Sequence, residues 1–193
     1  ELNTPLFSDY TSKYRFFQIP EGKQIRYSEE GTIQFPIGTV ISKTFAYPID
    51  MTDPTRGERL LETRIEFRQD NGWFGFSYLW NEQQTEATLA LGGSEIDVNW
   101  IHTDGKQRRN RYQVPNANQC LNCHQQGDQF VPIGPVAANL NGSWDHGHGS
   151  RNQIAAWKEQ QLLMEAPAPD SIATWPVFDD SQQRSINDRA RSW

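Results

Sequence analysis

The residues from 58 to 114 carry the pattern that most constrains the fold. The stretches "LLETRIEFR", "GWFGFSYLW" and "EIDVNWIH" alternate side-chain character at every second residue over 61–68, 74–80 and 96–102. This period is typical of half-buried β-strands, whose apolar side chains face a core. Asp70-Asn71-Gly72 and Thr103-Asp104-Gly105-Lys106 supply turn residues between the stretches. The pattern therefore predicts antiparallel strands that are joined by short turns.

The chain's two cysteines stand together and are followed directly by a histidine. Cys120, Cys123 and His124 form the pattern C-x-x-C-H, which marks the attachment of a c-type haem. Each thiol adds to one of two vinyl groups at one edge of the macrocycle, and the imidazole next in the chain binds the iron. A thioredoxin-like redox pair would need a βαβ setting, and a structural zinc site normally needs four Cys or His ligands. The spacing predicts one covalent haem c.

The chain changes character after Val114. A short helix is expected around Cys120, and a Gly- and Pro-punctuated loop follows it. The stretch "SRNQIAAWKEQQLLM" predicts another helix, capped by Ser150 or Asn152, whose apolar stripe ends at Met164. We therefore predict an α+β fold: an antiparallel β-rich part over residues 1–114, followed over 115–193 by a helical, cytochrome c-like haem-attachment segment that packs with the first part as one domain.

Charge and composition restrict the class of partner and the compartment. The 193 residues carry a formal charge of −6, which argues against a nucleic-acid partner. No apolar run is long enough to cross a bilayer. Because bacterial haem c is attached outside the cytoplasm, the motif implies a periplasmic or extracellular protein. The start at Glu1, without a signal peptide, suggests a mature or excised segment.

Further residues are candidates for binding the propionates or the iron of the expected haem. Arg108 and Arg111, just before the motif, are expected to pair with the haem propionates, because Arg binds carboxylates in a bidentate manner; the alternative is that they lie on the outer face of a strand. The residues considered for the sixth position of the iron, in order of preference, are His146, His148, Met164 and His102. We expect a low-spin, six-coordinate haem with His146 or His148 as the sixth ligand.

Several segments, spread along most of the chain, are similar to those of a known protein family. "LNTPLFSDY", "YRFFQIPEGKQI", "FPIGTVISK", "RLLETRIEF", "YLWNEQQTEATLALGG", "VPNANQCLNCH" and "PIGP" together resemble a family of exported bacterial haem c proteins of unassigned function. In that family a tail similar to "SINDRARSW" leads to a further C-x-x-C-H segment. The resemblance implies the first haem domain of a longer, multi-haem protein. Related modules occur beside carbohydrate-binding modules in polysaccharide-degrading bacteria, which makes a polysaccharide-oxidising enzyme a further possible electron acceptor.

Two other cytochrome types share single features with the chain. "GTVISK", followed much later by "CLNCHQQGDQFV", resembles the β-sheet cytochromes of the c-prime-beta type, which often lack a protein ligand on the distal face. Gly134-Pro135 and Met164 are similar to the loop and ligand of class I cytochrome c, whose fold does not include a β-rich first half.

These features predict a monohaem electron-transfer module rather than an enzyme. Its partner would be a redox protein or a second haem domain of the same parent chain. Two alternatives stay open at the level of sequence. One is a five-coordinate haem that binds or reduces peroxide, nitric oxide or oxygen, and the other is a structural haem in a carbohydrate-associated module.

Overall fold

The structure is a computed structural model that describes residues 1–145, 147, 149–177 and 185–191. The strands are β1 (Ser12–Gln18), β2 (Ile25–Arg26), β3 (Val40–Pro48), β4 (Glu58–Gln69), β5 (Gly72–Trp80), β6 (Ala87–Leu89), β7 (Ser94–Ile101), β8 (Gln107–Val114), β9 (Gln125–Gln126), β10 (Gln129–Phe130), β11 (Ser143–Asp145), β12 (Ser150–Asn152) and β13 (Leu163–Met164). The helices are α1 (Ala117–His124), α2 (Ala137–Leu140), α3 (Gln153–Glu159) and α4 (Ile186–Arg191). The fold is mostly antiparallel β-sheet with few helices, in agreement with the α+β class. None of the helices in these residues has the length and apolar character needed to span a membrane.

The chain packs into two compact units that are not consecutive segments. The first, which we call the terminal unit, comprises Glu1–Leu6, Ile19–Thr39 and Pro132–Trp193. The second, the sheet unit, comprises Phe7–Gln18 and Val40–Val131. Helix α1, with both cysteines and His124, therefore belongs to the sheet unit.

The sheet unit is built on a five-stranded antiparallel sheet with the order β1-β3-β4-β5-β6. Strands β4 and β5 are joined by a tight turn, with Gln69 paired with Gly72, and the φ of 136° at Gly72 is one that only glycine adopts easily. Strands β7 and β8 form a separate antiparallel pair. The strands and turns predicted from the alternation are thus confirmed.

The core of the sheet unit joins the sheet to the β7–β8 pair. A register shift between β3 and β4 at Phe45/Ala46 leaves Leu61 as an extra residue in β4. Such a bulge turns successive side chains toward one side, so that Leu61 and Glu62 are both buried. The buried cluster consists of Phe45, Tyr47, Leu61, Val98, Trp100, Tyr112 and Val114.

The more covered face of the sheet is not the one that the alternation predicts. We expected the apolar side chains of β4 to face the core and its charged side chains to face solvent. Instead, Glu62 is fully buried and only 13% of the Glu66 side chain is exposed. On the opposite face Phe16 is 68% exposed and Phe74 is 37% exposed. The charged side chains of β4 therefore face inward, and an aromatic face points outward.

The terminal unit is held together by buried amide side chains. The backbone N–H of Asn3 donates to the Asn139 carbonyl at 2.8 Å, and the backbone N–H of Thr4 donates to the Asn139 Oδ1 at 2.8 Å. Gln153 of α3, also buried, donates through Nε2 to the Glu1 carbonyl at 3.1 Å and to the Leu140 carbonyl at 3.2 Å. These bonds fix the first residues of the chain against α2 and α3.

The predicted helix that includes Met164 is shorter than expected. Asn152 caps α3, because its side chain accepts the Ala155 N–H, but the helix ends at Glu159. Gln161 adopts a left-handed φ of 57°, and the Leu162 N–H donates back to the Trp157 carbonyl at 2.8 Å, which is a helix-terminating geometry. The prediction that Met164 closes a helical stripe is therefore wrong, since it lies in β13, which pairs in parallel with β2.

Candidate functional site

Helix α1 carries both cysteines and His124, and a side-chain cap fixes the residue at which the helix begins. Asn116 and Gln119 form a reciprocal cap: the Gln119 N–H donates to Asn116 Oδ1 and the Asn116 N–H donates to Gln119 Oε1, both at 2.9 Å. The cap fixes the register, so that Cys120, Cys123 and His124 occupy positions i, i+3 and i+4, which neighbour one another on a helix surface. The predicted short helix around Cys120 is confirmed. Both thiols are free, Cys120 partly buried and Cys123 exposed.

The imidazole of His124 is nearly buried and neutral. Only 12% of the side chain is exposed, and burial lowers its pKa to about 4. Its Nδ1 lies 2.9 Å from the Val131 carbonyl oxygen and 3.3 Å from Glu66 Oε1. With two acceptors at Nδ1, the proton resides there, so the contact with Glu66 is an N–H directed at a carboxyl group rather than an ion pair. The Nε2 lone pair is then the one left available, as in histidine ligands whose other nitrogen donates to a carbonyl.

The phenyl ring of Phe130 stacks on the same imidazole. The β9–β10 hairpin follows α1 directly and returns Phe130 against His124, with ring centroids 4.8 Å apart and planes 9° from parallel. The Val131 N–H also donates to the His124 carbonyl at 2.7 Å. The tip of the Phe130 ring lies against Gly75 of β5, where a Cβ would come within 2.9 Å of the phenyl Cζ. Because Gly75 has no side chain, the phenyl ring can lie directly against the sheet at this position.

The covered face of the sheet carries buried charges beside His124 and Cys120. Burial raises the pKa of Glu66 to about 7, against the lowering effect of Lys43 and Arg64. Glu62 accepts two bonds from Arg64, at 2.6 and 3.0 Å, and one from the Tyr112 hydroxyl at 2.6 Å. The two inward-facing carboxyl groups of β4 therefore differ. That of Glu62 has hydrogen-bond donors for its oxygens, whereas burial keeps that of Glu66 largely protonated up to neutral pH.

A small depression adjoins Cys120. It is lined by Gly75, Phe76, Ser77, Ala90, Leu91, Pro115, Ala117 and Cys120. Burial also raises the pKa of the Cys120 thiol, which keeps it protonated and non-ionised at neutral pH. The Ser77 hydroxyl is buried there and has no hydrogen-bond partner among the described residues. Such a group is rare in folded proteins and calls for an explanation.

The other predicted site residues lie elsewhere. Arg108 pairs with Asp104 at 2.7 Å, and Arg111 pairs with Asp97 at 3.1 Å, both on exposed parts of the β7–β8 hairpin. His102 accepts a bond at Nδ1 from Trp100 Nε1, at 3.4 Å. Met164 belongs to the terminal unit.

The two loop histidines that were preferred as sixth ligand, His146 and His148, lie outside the described residues. Among the residues that are described, no group of three or more His, Cys, Asp or Glu side chains is arranged to hold a metal ion. A haem iron takes four ligands from its porphyrin, so a haem site does not need such a group.

Sequence reasoning missed three residues of this site: Glu66, Phe130 and Gly75. The alternation in β4 predicts only that Glu66 lies on the face opposite to the apolar residues. Gly75 did carry a signal, because a glycine inside a strand between two aromatic residues indicates a close approach. No local signal connects Phe130 with His124, because the hairpin between them is defined only in the folded chain.

The residues of α1 fit a covalently attached haem. Two free thiols lie at the required spacing, and the adjacent imidazole is neutral with Nδ1 engaged by a carbonyl. Comparisons of the chain with family models, with curated proteins and with solved structures found no match. The function is therefore inferred from the site alone.

Proposed function

We propose that the chain is a c-type haem domain that transfers electrons. Cys120 and Cys123 would form the two thioether bonds, and His124 would bind the iron through Nε2. When bound, the haem supplies one-electron exchange between ferric and ferrous iron.

The observation that carries this proposal is the way in which His124 is held. The Val131 carbonyl fixes the ring nitrogen that does not bind metal, Phe130 lies parallel to the ring, and Glu66 approaches the same Nδ1. An imidazole that is held at Nδ1 and against one ring face moves little when the charge on the iron changes. Because little then has to rearrange, electron exchange is rapid. The hydrogen bond at Nδ1 also raises the basicity of the imidazole, which stabilises the ferric state.

The proposed setting follows from the chemistry of attachment. A haem c domain of this kind would be periplasmic or extracellular and would exchange electrons with a redox protein, a second haem domain of the same parent chain or a polysaccharide-oxidising enzyme. The sixth ligand would be supplied by His146, His148 or Met164. An iron without such a ligand would instead bind peroxide, nitric oxide or oxygen.

One observation favours a second candidate function. The outward face of the sheet exposes Tyr14, Phe16 and Phe74, and flat aromatic faces suit the apolar faces of sugar rings. In that case the haem would be structural and the sheet would bind a polysaccharide. Loss of polysaccharide retention in Phe16→Ala, with the haem spectrum unchanged, would support this second candidate over electron transfer.

Absorption spectra of the haem-bearing chain test the electron-transfer proposal. We expect a low-spin ferric spectrum, reversible one-electron reduction and little change of the ferrous spectrum under carbon monoxide. A high-spin ferric spectrum with full carbon monoxide binding would refute electron transfer through a six-coordinate iron and would support the open-site alternative. The double variant His146→Ala and His148→Ala then identifies the ligand: a switch to high spin assigns it to this loop, and an unchanged spectrum directs the test to Met164.

A further inference from the structure

Three cations lie side by side on the covered face of the sheet. The strand register places Arg15 of β1 opposite Lys43 of β3, and Lys43 opposite Arg64 of β4. The next residue in the same row is Ser77 of β5, opposite Arg64. Directly paired residues have their Cβ atoms about 5 Å apart, at which distance like charges repel one another. A row of this kind is costly unless something negative lies against it.

The charges around Lys43 do not balance. Among the described residues, Arg15, Arg64 and Lys13 are its cationic neighbours, and its one acidic neighbour is Glu66, whose carboxyl group burial keeps largely protonated up to neutral pH. Burial, and then the three cations, lower the pKa of Lys43 to about 7. Arg64 is already satisfied by Glu62. Lys13 has a pKa lowered to about 8 by burial and by Arg15, with Asp9 acting in the opposite direction. Among the described residues, the ammonium group of Lys43 therefore has no ionised carboxylate beside it below neutral pH.

The end of the row at Ser77 lies beside Cys120, one of the two cysteines proposed to bind the haem. Ser77 and Cys120 line the same depression, while Lys43 lies two strands away from Ser77 in the order β5-β4-β3. Neighbouring strands are about 4.8 Å apart, so the distance from Ser77 to Lys43 along the row is about 10 Å. In a haem, the vinyl groups and the two propionates lie at opposite edges of the macrocycle, a separation of the same order. Cations at that distance from Cys120 match the propionate edge.

We propose that Lys43, with Lys13 and Arg15 beside it, binds the propionate carboxylates of the haem attached to Cys120 and Cys123. This inference rests on the proposed function. It replaces Arg108 and Arg111 as the propionate partners, because those two side chains are exposed and already paired with Asp104 and Asp97. It also explains why a protein with a net charge of −6 gathers cations on a covered face.

The experiment compares the haem-bearing chain with single variants at pH 6, where Lys43 is protonated. Lys43→Gln and Lys13→Gln each remove one charge, Lys43→Arg retains it, and Arg108→Gln and Arg111→Gln are matched controls. Intact mass first establishes that the haem is attached in each variant. Midpoint potential and the propionate-bending bands of the resonance Raman spectrum are then measured.

Lys43→Gln is expected to favour the ferric iron by about tenfold, the effect of one unit charge about 12 Å away at an effective dielectric constant of about 20. This change corresponds to a midpoint potential about 59 mV lower. The propionate bands are expected to shift as well. Lys13→Gln should show both effects to a smaller extent, whereas Lys43→Arg and the two control variants should resemble the parent chain.

An unchanged potential and unchanged propionate bands in both Lys variants would overturn the inference and leave the proposed function intact. Shifts in Arg108→Gln or Arg111→Gln alone would overturn it in favour of the hairpin arginines. A parent chain without attached haem would overturn the proposed function and this inference together. If Lys43→Gln does not fold, the less central Lys13→Gln decides between these outcomes.

Discussion

Replacing Glu66 by Gln should stabilise the haem-free chain at alkaline pH. Burial raises the pKa of Glu66 from its ordinary value of 4.5 to about 7, which corresponds to ~3 kcal/mol at about 1.36 kcal/mol for each pH unit. Below pH 4.5 the carboxyl group is protonated in both the folded and the unfolded chain, so it contributes no pH dependence. Between these two pKa values the unfolded chain ionises first, and stability falls as pH rises. Above pH 7 the full cost is present.

The variant Glu66→Gln removes this cost, because a neutral amide does not ionise. We expect its free energy of unfolding to exceed that of the parent chain by ~3 kcal/mol at pH 8 and by less than about 1 kcal/mol at pH 5. Urea unfolding at the two pH values, followed by aromatic fluorescence, measures the difference. Glu95→Gln, at an exposed position of β7, is the matched control, with an expected change of less than about 0.5 kcal/mol. A Glu66→Gln effect that is equal at both pH values, or a loss of stability at pH 8, would refute the reasoning.

Two further substitutions test the covered face of the sheet. Glu62→Gln should destabilise the chain by about 3–5 kcal/mol in urea unfolding, because it leaves the Arg64 guanidinium buried without its carboxylate; a change below about 1 kcal/mol would contradict the buried pair. Gly75→Ala should cost about 1–3 kcal/mol and lower the yield of covalent haem, because the new Cβ displaces Phe130 from His124. Gly92→Ala, where a Cβ meets nothing within 4 Å, is the control, and equal effects of the two alanines would contradict the role of Gly75.

The elements that the sequence predicts well are those defined by local chemistry. Strand β4 follows from strict alternation, the turn before Gly72 from its Asn-Gly pair, and the start of α3 from the capping side chain of Asn152. The short helix expected around Cys120 is present as Ala117–His124, after a reciprocal cap between Asn116 and Gln119. Each of these signals acts within a few residues of the chain.

The features that the sequence does not predict depend on distant parts of the chain. Alternation shows that the two faces of β4 differ, but it does not show which face is covered; that is decided by the bulge at Phe45 and by the side chains that pack beneath it. The end of α3 depends on a left-handed Gln161, a residue that carries no helix-ending signal. The pairing of Glu66 with His124 joins residues that are far apart in sequence, and neither has a local reason to be buried.

The most direct test of the account is the intact mass of the chain after export together with the haem-attachment machinery. We predict the mass of the polypeptide plus one haem, with the added mass confined to the peptide that contains Cys120 and Cys123. The double variant Cys120→Ala and Cys123→Ala should return to the bare polypeptide mass, while Gly92→Ala should keep the haem. A folded parent chain that emerges at the bare polypeptide mass would contradict the claim that α1 is a haem-attachment helix.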